Sequence, residues 1–232
     1  MTPAMKGRMM IIFDMDGTLL DSAPGIAKSL THAIRQLGHD FHPPAGVHAL
    51  FGPPMNQVVA QLLRPFGDDR VEQCVETYRE HYSQYGLYTC SPYPGIAEAL
   101  QCLFAEGFTL AVATSKRQEF ADKMLRHTGL HEMFEDVRGT TADGSLDDKA
   151  DLLRLMSASL TQSRSCLCMI GDKRDDMVAA SKNALPAIGV TWGYGTAQEL
   201  TESGAVALSN SPMDLPGLLL RLLAQYDPAT RS

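Results

Sequence analysis

Short apolar runs alternate with amphipathic segments along most of the chain. The runs at 9–13, 109–113, 166–170 and 187–190 are apolar or nearly so, and a weaker run covers 205–208. The first three end in polar or small residues. Continuous apolar runs of this length are typical of strands in a parallel sheet that is covered on both faces.

The segments between these runs have helical periodicity. Three helices are predicted in this way, with apolar positions at Ile96, Leu100, Leu103 and Phe104; at Phe120, Met124 and Leu125; and at Leu215, Leu218, Leu219, Leu222 and Leu223. Ser115 and Gln118 have the spacing of a capping box for the second helix. Strands that alternate with helices predict a doubly wound α/β fold on a parallel sheet.

Residues 22–93 interrupt this alternation with helical patterns alone. Three amphipathic helices are indicated by Ile26, Leu30, Ile34 and Leu37; by Val58, Val59, Leu62 and Leu63; and by Val71, Cys74, Val75, Tyr78 and Tyr82. The segment is too long for a loop, and it returns through the turn-rich residues 91–95. We predict a core domain of residues 1–21 and 94–232 with an inserted all-α domain, 22–93. We expect this domain to cover the carboxyl edge of the sheet, where open α/β folds bind ligands.

The composition narrows the classes of function. Lysine and arginine number 20 against 27 aspartates and glutamates, and the net charge of −7 argues against nucleic-acid partners. The five cysteines are an odd number without metal-ligand spacing, which does not indicate a disulfide framework. Because charged residues directly follow residues 1–13, we expect that this stretch is neither a signal peptide nor a membrane span. We therefore expect a cytoplasmic protein without membrane partners, while its oligomeric state stays open.

Acidic residues directly follow two of the apolar runs. Asp14 and Asp16 come after the first run, within Asp14-Met15-Asp16-Gly17-Thr18, and Asp172 comes after the third. Carboxylates so close together repel one another unless a cation or a shared proton stabilises them. Because the ends of parallel strands meet at one edge of a sheet, these three residues predict an oxygen-rich site suited to Mg²⁺.

Two further residues fit a site for phosphate chemistry. Thr114 follows the second run, at a predicted helix start that suits phosphate oxygens. Lys149 lies near another predicted helix start and would offset the acidic cluster. Positioning and charge neutralisation dominate phosphoryl transfer, so these parts suffice for that reaction.

The chain resembles the haloacid dehalogenase-like hydrolase superfamily over nearly its whole length. The motifs that carry the resemblance are, in order, Asp14-x-Asp16-Gly17-Thr18, Thr114, Lys149 and Gly171-Asp172-x-x-x-Asp176. The phosphoglycolate phosphatase-like and 5′-nucleotidase-like branch is similar at Phe51-Gly52-Pro53-Pro54, Tyr93-Pro94-Gly95-Ile96, Ala113-Thr114-Ser115-Lys116, Asp143-Gly144-Ser145 and Gly193-Tyr194-Gly195. The resemblance implies a Rossmann-like core with a helical cap, and Mg²⁺-dependent hydrolysis of a small phosphorylated metabolite.

The resemblance also implies roles for the acidic residues. Asp14 would be the nucleophile that forms an aspartyl phosphate, and Asp16 would protonate the leaving oxygen and then accept a proton from water. The metal would be bound by the carboxylates of Asp14 and Asp172 and by the backbone carbonyl of Asp16. Asp176 would support the metal indirectly, by contacting the groups that bind it, and Asp175 could share that role.

Phosphate and substrate contacts follow from the same resemblance. Thr114 and Lys149 would hold the phosphoryl group, with help from the backbone amides of Gly17 and Ser115; Ser115 could instead cap a helix. The cap would contact the leaving group and exclude water, which makes Gly52 and Pro53 candidates for specificity. Lys116 is expected to cover a helix surface or to reach the substrate.

These residues are compatible with several substrates and several functions. Phosphoglycolate and nucleoside 5′-monophosphates are the expected kinds of substrate, but pyrophosphate and phosphotyrosine mimics would also fit a small anionic pocket, and the sequence does not choose among them. The alternatives are a phosphomutase of the β-phosphoglucomutase type and a non-enzymatic phosphoacceptor that resembles a response-regulator receiver. A true dehalogenase is less well supported, because C–halogen cleavage does not need the acid that Asp16 provides.

Overall fold

The computed structural model describes residues 9–44, 47, 55–141, 146–159 and 165–226. Its strands are β1 (Met9–Phe13), β2 (Leu20–Asp21), β3 (Ser91–Pro92), β4 (Thr109–Arg117), β5 (Asp136–Thr140), β6 (Ser165–Gly171), β7 (Ala187–Val190) and β8 (Ala207–Ser209). Its α-helices are α1 (Ala23–Gln36), α2 (Met55–Leu63), α3 (Val71–Gln84), α4 (Ile96–Ala105), α5 (Gln118–His127), α6 (Lys149–Ser159), α7 (Arg174–Lys182), α8 (Ala197–Glu202) and α9 (Leu215–Tyr226).

A parallel sheet of six strands is formed within the described ranges, in the order β5-β4-β1-β6-β7-β8. β1 pairs with β4 on one side and with β6 on the other, so the direction of winding reverses at β1. Helices lie on both sides of the sheet, which confirms the predicted doubly wound, Rossmann-like α/β class. In such sheets, ligands bind beyond the carboxyl ends of the strands at the point of reversal.

The buried side chains of β1 anchor its carboxyl end. Successive residues of a strand point to opposite faces. Met10 and Ile12 belong to a buried cluster that includes Leu153 of α6, whereas the ring of Phe13 meets that of Phe134 edge-on, with centroids 6.3 Å apart. Burying one such side chain contributes about 1.5–3 kcal/mol. The residue that follows Phe13 is therefore held in a defined position.

The contacts within the chain divide it into two compact units. One consists of Met1–Leu20 and Pro92–Ser232, and the other of Asp21–Ser91. The chain passes between the units through β2 and β3, which pair as a small two-stranded sheet. We refer to the two as the core unit and the helical unit. The role of the helical unit as a cap over the site stays a prediction.

The helical unit has its own apolar interior. The buried faces of its helices are formed by Ile26, Leu30 and Ile34 of α1, by Val58, Val59, Leu62 and Leu63 of α2, and by Cys74, Val75, Tyr78 and Tyr82 of α3. Tyr78 and Tyr82 stack with ring centroids 5.3 Å apart. These faces match the predicted periodicity in all three helices.

A second feature of the helical unit is a charged cluster around Asp68. The Asp68 carboxylate accepts hydrogen bonds from the backbone N–H and the guanidinium of Arg70. The Nε2 atom of His39 lies 2.6 Å from the same carboxylate. Arg70 also donates to the carbonyl of Leu37. The cluster therefore ties the segment after α1 to the start of α3.

The start of α5 differs from the prediction. β4 continues to Arg117, and Arg117 is the N-cap residue of a helix that begins at Gln118. The Gln118 side chain bonds across to β5, donating to the carbonyl of Val137 and accepting from the N–H of Gly139. The predicted capping box from Ser115 to Gln118 is therefore wrong, and Ser115 does not cap this helix.

Three further differences from the sequence analysis concern β5, Phe104 and β8. The sequence pattern missed β5, an edge strand in which only Gly139 and Thr140 are buried. Phe104, a predicted member of the buried face of α4, is 65% exposed. The strand predicted at 205–208 is β8, at Ala207–Ser209.

Candidate active site

Three carboxylates meet where β1 and β6 end. Asp14 directly follows β1, and its N–H donates to the carbonyl of Ile170 in the neighbouring β6, at 2.8 Å. Asp172 directly follows β6, and Asp176 lies in the first turn of α7. One oxygen of each carboxylate lies within 4.8 Å of the others, and all three residues are buried. The structure thus brings together residues that are more than 150 positions apart in the sequence.

Lys149 is the cation of this cluster. It is the first residue of α6, and its Nζ lies 2.6 Å from Oδ1 of Asp14 and 2.5 Å from Oδ1 of Asp176. Its side chain is 8% exposed, so water screens these ion pairs little. The other oxygen of Asp176 accepts the N–H of Lys173 at 3.0 Å, which fixes that carboxylate on both sides.

Burial is the largest single influence on the pKa values of Asp14, Asp172 and Lys149. It raises the pKa of Asp14 well above its ordinary value, while Lys149 opposes the shift and Asp176 and Asp172 add to it. Burial, together with Asp176, raises the pKa of Asp172 to about 7, although the Tyr194 amide and Lys149 act against this. Burial alone would lower the pKa of Lys149, but Asp14 and Asp176 outweigh it and raise that pKa. Lys149 is thus a permanent cation in a cluster in which Asp14 and Asp172 resist ionisation.

Asp172 is held by donors on both of its oxygens. The Thr18 hydroxyl donates to Oδ1 at 3.3 Å, and the N–H of Tyr194 donates to Oδ2 at 2.7 Å. A Cβ atom on Gly17, Gly193 or Gly195 would overlap atoms of Asp172. Only glycine can therefore occupy these three positions without displacing Asp172.

A tight loop carries Asp16 beside this cluster. The N–H groups of Leu19 and Leu20 both donate to the carbonyl of Met15 at 2.9 Å, and Gly17 turns the chain with a positive φ of 88°. Glycine adopts this conformation without the steric cost that other residues incur. The Asp16 side chain is 22% exposed, and its Oδ2 lies 3.2 Å from Nζ of Lys116.

The remaining predicted residues are placed as follows. Thr114 is buried, and its Oγ1 accepts the N–H of Lys116 at 3.2 Å, whereas Ser115 is exposed. Asp175 is exposed and lies outside the carboxylate cluster, which contains Asp176. Gly52, with the neighbouring Pro53, lies outside the described residues. The roles proposed for all of these residues stay predictions.

The donor set suits a hard divalent cation. Three buried carboxylates lie together, and the ammonium group of Lys149 pairs with those of Asp14 and Asp176, so these four groups hold more negative than positive charge when they are ionised. A divalent cation would offset this excess, and oxygen ligands are those that Mg²⁺ and Ca²⁺ prefer. The residues present therefore fit the metal that the sequence predicts.

Sequence reasoning missed four contributors to the site. Thr18 stood out only as part of a motif, and Tyr194, Gly193 and Gly195 only as a feature of the family branch. Each of these residues donates a hydrogen bond to Asp172 or lies so close to it that a Cβ atom would overlap it. The glycines on both sides of Tyr194 were the available signal, because closely spaced glycines mark places where the backbone approaches another group.

The chain belongs to the haloacid dehalogenase-like hydrolase family, whose profile matches residues 11–190. A 5′-nucleotidase from Pseudomonas aeruginosa is 38% identical over 191 residues, which cover 82% of this chain and 86% of that protein. The tyrosine-protein kinase PtkA from Mycobacterium tuberculosis is 36% identical over 205 residues, which cover 87% of this chain and 68% of that protein. A phosphoglycolate phosphatase from Vibrio parahaemolyticus is 28% identical over 218 residues, which cover 89% of this chain and 93% of that protein.

The fold is also shared with solved structures. A crystal structure of a predicted phosphatase from Clostridium acetobutylicum has a TM-score of 0.80 and 33% identity, covering 92% of this chain and 99% of that one. These similarities confirm the predicted family and the predicted enzyme class, a phosphatase. Among the described residues, no helix combines the length and the apolar character needed to cross a bilayer.

Proposed function

We propose that the protein is a Mg²⁺-dependent phosphomonoesterase that hydrolyses a small phosphorylated metabolite through an aspartyl phosphate on Asp14. The observation that carries the proposal is the meeting of Asp14, Asp172, Asp176 and Lys149 at the strand ends. Bound at these carboxylates, Mg²⁺ would neutralise charge on the transferring phosphoryl group. The names of the relatives favour a phosphoglycolate-like or nucleoside 5′-monophosphate-like substrate.

In the first step an oxygen of Asp14 attacks phosphorus and the bond to the leaving oxygen breaks. Lys149 holds Oδ1 of Asp14 at 2.6 Å, which orients the nucleophile and stabilises its ionised form. Asp16 gives a proton to the leaving oxygen, so that a neutral alcohol departs.

In the second step water attacks the phosphorus of the aspartyl phosphate. Asp16, now ionised, accepts a proton from that water, and the Asp14 carboxylate departs with inorganic phosphate as the other product. Thr114, which is buried at the end of the apolar part of β4, is the proposed donor to a phosphoryl oxygen. Ser115 is exposed, and we propose that it contributes its backbone amide.

We also propose that the helical unit acts as the cap that contacts the leaving group. The proposal is supported by its insertion between Leu20 and Pro92, a few residues after Asp14 and Asp16. Gly52 and Pro53 stay the candidates for specificity. Substitution of Gly52 should then change the ranking of substrates in a panel, while activity on a minimal aryl phosphate is less affected.

The decisive experiment is a panel of phosphorylated metabolites assayed for phosphate release, with Mg²⁺ and with a chelator. Activity should require the metal, and Asp14→Asn should abolish it while the aspartyl phosphate disappears from acid-quenched samples. Asp214→Asn removes an exposed carboxylate of the same unit and serves as the matched control. Turnover that survives Asp14→Asn would exclude the mechanism. Sugar-phosphate interconversion without phosphate release would favour the mutase alternative.

A further inference from the structure

The two carboxylate oxygens of Asp16 have different surroundings. Oδ2 forms an ion pair with Lys116, whose Nζ lies 3.2 Å away and whose side chain is only 10% exposed. Oδ1 is buried and has no hydrogen-bond partner among the described residues. A buried acceptor without a partner costs about 1–3 kcal/mol, so such an atom in a native site requires an explanation.

The position of Lys116 is built by an irregular part of β4. The register of β4 against β5 shifts between Ala113 and Arg117, so Lys116 lies in a distorted segment rather than in a regular strand. Its N–H donates to Oγ1 of Thr114, and its carbonyl packs so closely on Gly139 that a Cβ there would overlap it. The Gln118 side chain, which bonds to β5, fixes the other end of the segment. Several elements therefore cooperate to hold this lysine.

We propose that Lys116 is a positioning residue for the acid–base step, which it serves by holding Oδ2 of Asp16 and presenting Oδ1 to the leaving oxygen. This inference rests on the proposed function. The terminal torsion of an aspartate is broad, so an unrestrained carboxylate would sample many orientations. The ion pair with Lys116 removes that freedom, and the leaving oxygen supplies the partner that Oδ1 lacks. A general acid acts only from within hydrogen-bond distance, which makes its orientation important.

The experiment compares substrates that differ in their need for an acid. An alkyl phosphate has a poor leaving group and requires a proton from Asp16, whereas p-nitrophenyl phosphate does not. Lys116→Met and Lys116→Gln should lower kcat on alkyl phosphates about 10–100-fold, the cost of a misplaced catalytic group. The loss on p-nitrophenyl phosphate should be several-fold smaller, and Lys116→Arg should restore part of the activity. Lys123→Met, an exposed lysine on α5, is the matched control.

A double-mutant cycle with Asp16→Asn tests whether Lys116 acts through Asp16. If it does, adding Lys116→Gln to Asp16→Asn should change kcat on alkyl phosphates little, because the residue it positions is already gone. Additive losses of equal size on both substrate types, or an effect confined to KM, would overturn the proposal and indicate direct substrate binding or a structural role. Failure of the proposed function would look different, because Asp14→Asn would then retain activity whatever the substitution at position 116.

Discussion

The two units of this molecule shift the pKa values of clustered carboxylates in opposite directions. In the helical unit, hydrogen bonds from Arg70 and His39 lower the pKa of Asp68 below its ordinary range. In the core unit, burial raises the pKa values of Asp14 and Asp172, even though Lys149 opposes the shift at both. Protein groups supply the hydrogen-bond donors and cations that the Asp68 carboxylate needs. In the core unit, by contrast, three clustered carboxylates share the single ammonium group of Lys149.

The difference separates a structural cluster from the proposed active site. Asp68 joins segments of the helical unit and needs nothing further from outside the protein. In the core unit, burial raises the pKa values of Asp14 and Asp172, and strongly perturbed carboxylates of this kind are typical of active sites. Substitutions in the two clusters should therefore have different effects on turnover and on stability.

The largest expected difference is in turnover. Asp172→Asn removes a proposed metal ligand and should lower kcat/KM at saturating Mg²⁺ by about 10²–10³-fold, as expected when one group that stabilises the transition state is lost. Asp68→Asn should leave kcat unchanged within error. Steady-state kinetics of both variants on one phosphomonoester measure this difference. A large loss of kcat in Asp68→Asn would contradict a purely structural role for the Asp68 cluster.

A smaller loss is expected from crowding the site. A Cβ on Gly193 would overlap the carbonyl of Gly17 and the Cβ of Asp172, so Gly193→Ala must displace the loop. Overpacking of this kind costs about 1–3 kcal/mol, and we expect kcat/KM to fall about tenfold or more because Asp172 moves. Gly217→Ala on α9 has room for the new methyl group and should stabilise the protein slightly. Wild-type kinetics in Gly193→Ala would show that the loop adapts without cost.

The two clusters should also give stability changes of opposite sign. Without metal at about pH 8, the ionised Asp172 carboxylate destabilises the folded state. Asp172→Asn should therefore raise the free energy of unfolding by about 1–3 kcal/mol. Asp68→Asn should lower it, because bonds from Arg70 and His39 are lost. Urea unfolding in chelator measures both, and destabilisation by Asp172→Asn under these conditions would contradict the account of this residue.

The smallest expected effect is a pH dependence. Asp172 has a pKa of about 7 in the folded protein and an ordinary value of 3.8, so the folded state binds more protons between these values. Stability without metal should therefore fall as the pH rises through this window, with a slope below the limit of about 1.4 kcal/mol per pH unit that the uptake of one proton sets. Asp172→Asn should flatten the profile, and Mg²⁺ should raise the melting temperature more at the alkaline end, where no proton competes. Parallel profiles of wild type and variant would count against a raised pKa at Asp172.

The framework of the fold was predictable because burial leaves a clear signal. The run Met9–Phe13 is apolar throughout, and the residue after such a strand must lie at the edge of the sheet, which is how Asp14 and Asp172 could be found. β5 gave no such signal, because its partly exposed positions carry Asp136 and Arg138. The capping box failed because Gln118 bonds to β5 rather than to the end of its own helix.

The contacts of the site were less predictable than its acidic residues. The pairing of Lys116 with Asp16 joins residues 100 positions apart, and it depends on a shift of register that no local pattern records. The N–H of Tyr194 is a backbone group, so the identity of that residue carries no information about its bond to Asp172. Such contacts arise from tertiary structure and become visible only in the folded chain.

The location of Lys149 has a consequence for protein engineering. An ammonium at the first residue of a helix faces the positive end of the helix dipole, and at this site it is also nearly inaccessible to water. Selection for thermal stability or expression level alone would therefore tend to replace Lys149, or the acidic residues beside it, with apolar residues. A library selected for yield and one selected for turnover should differ first at these positions, and the difference would test the proposed catalytic centre without any knowledge of the substrate.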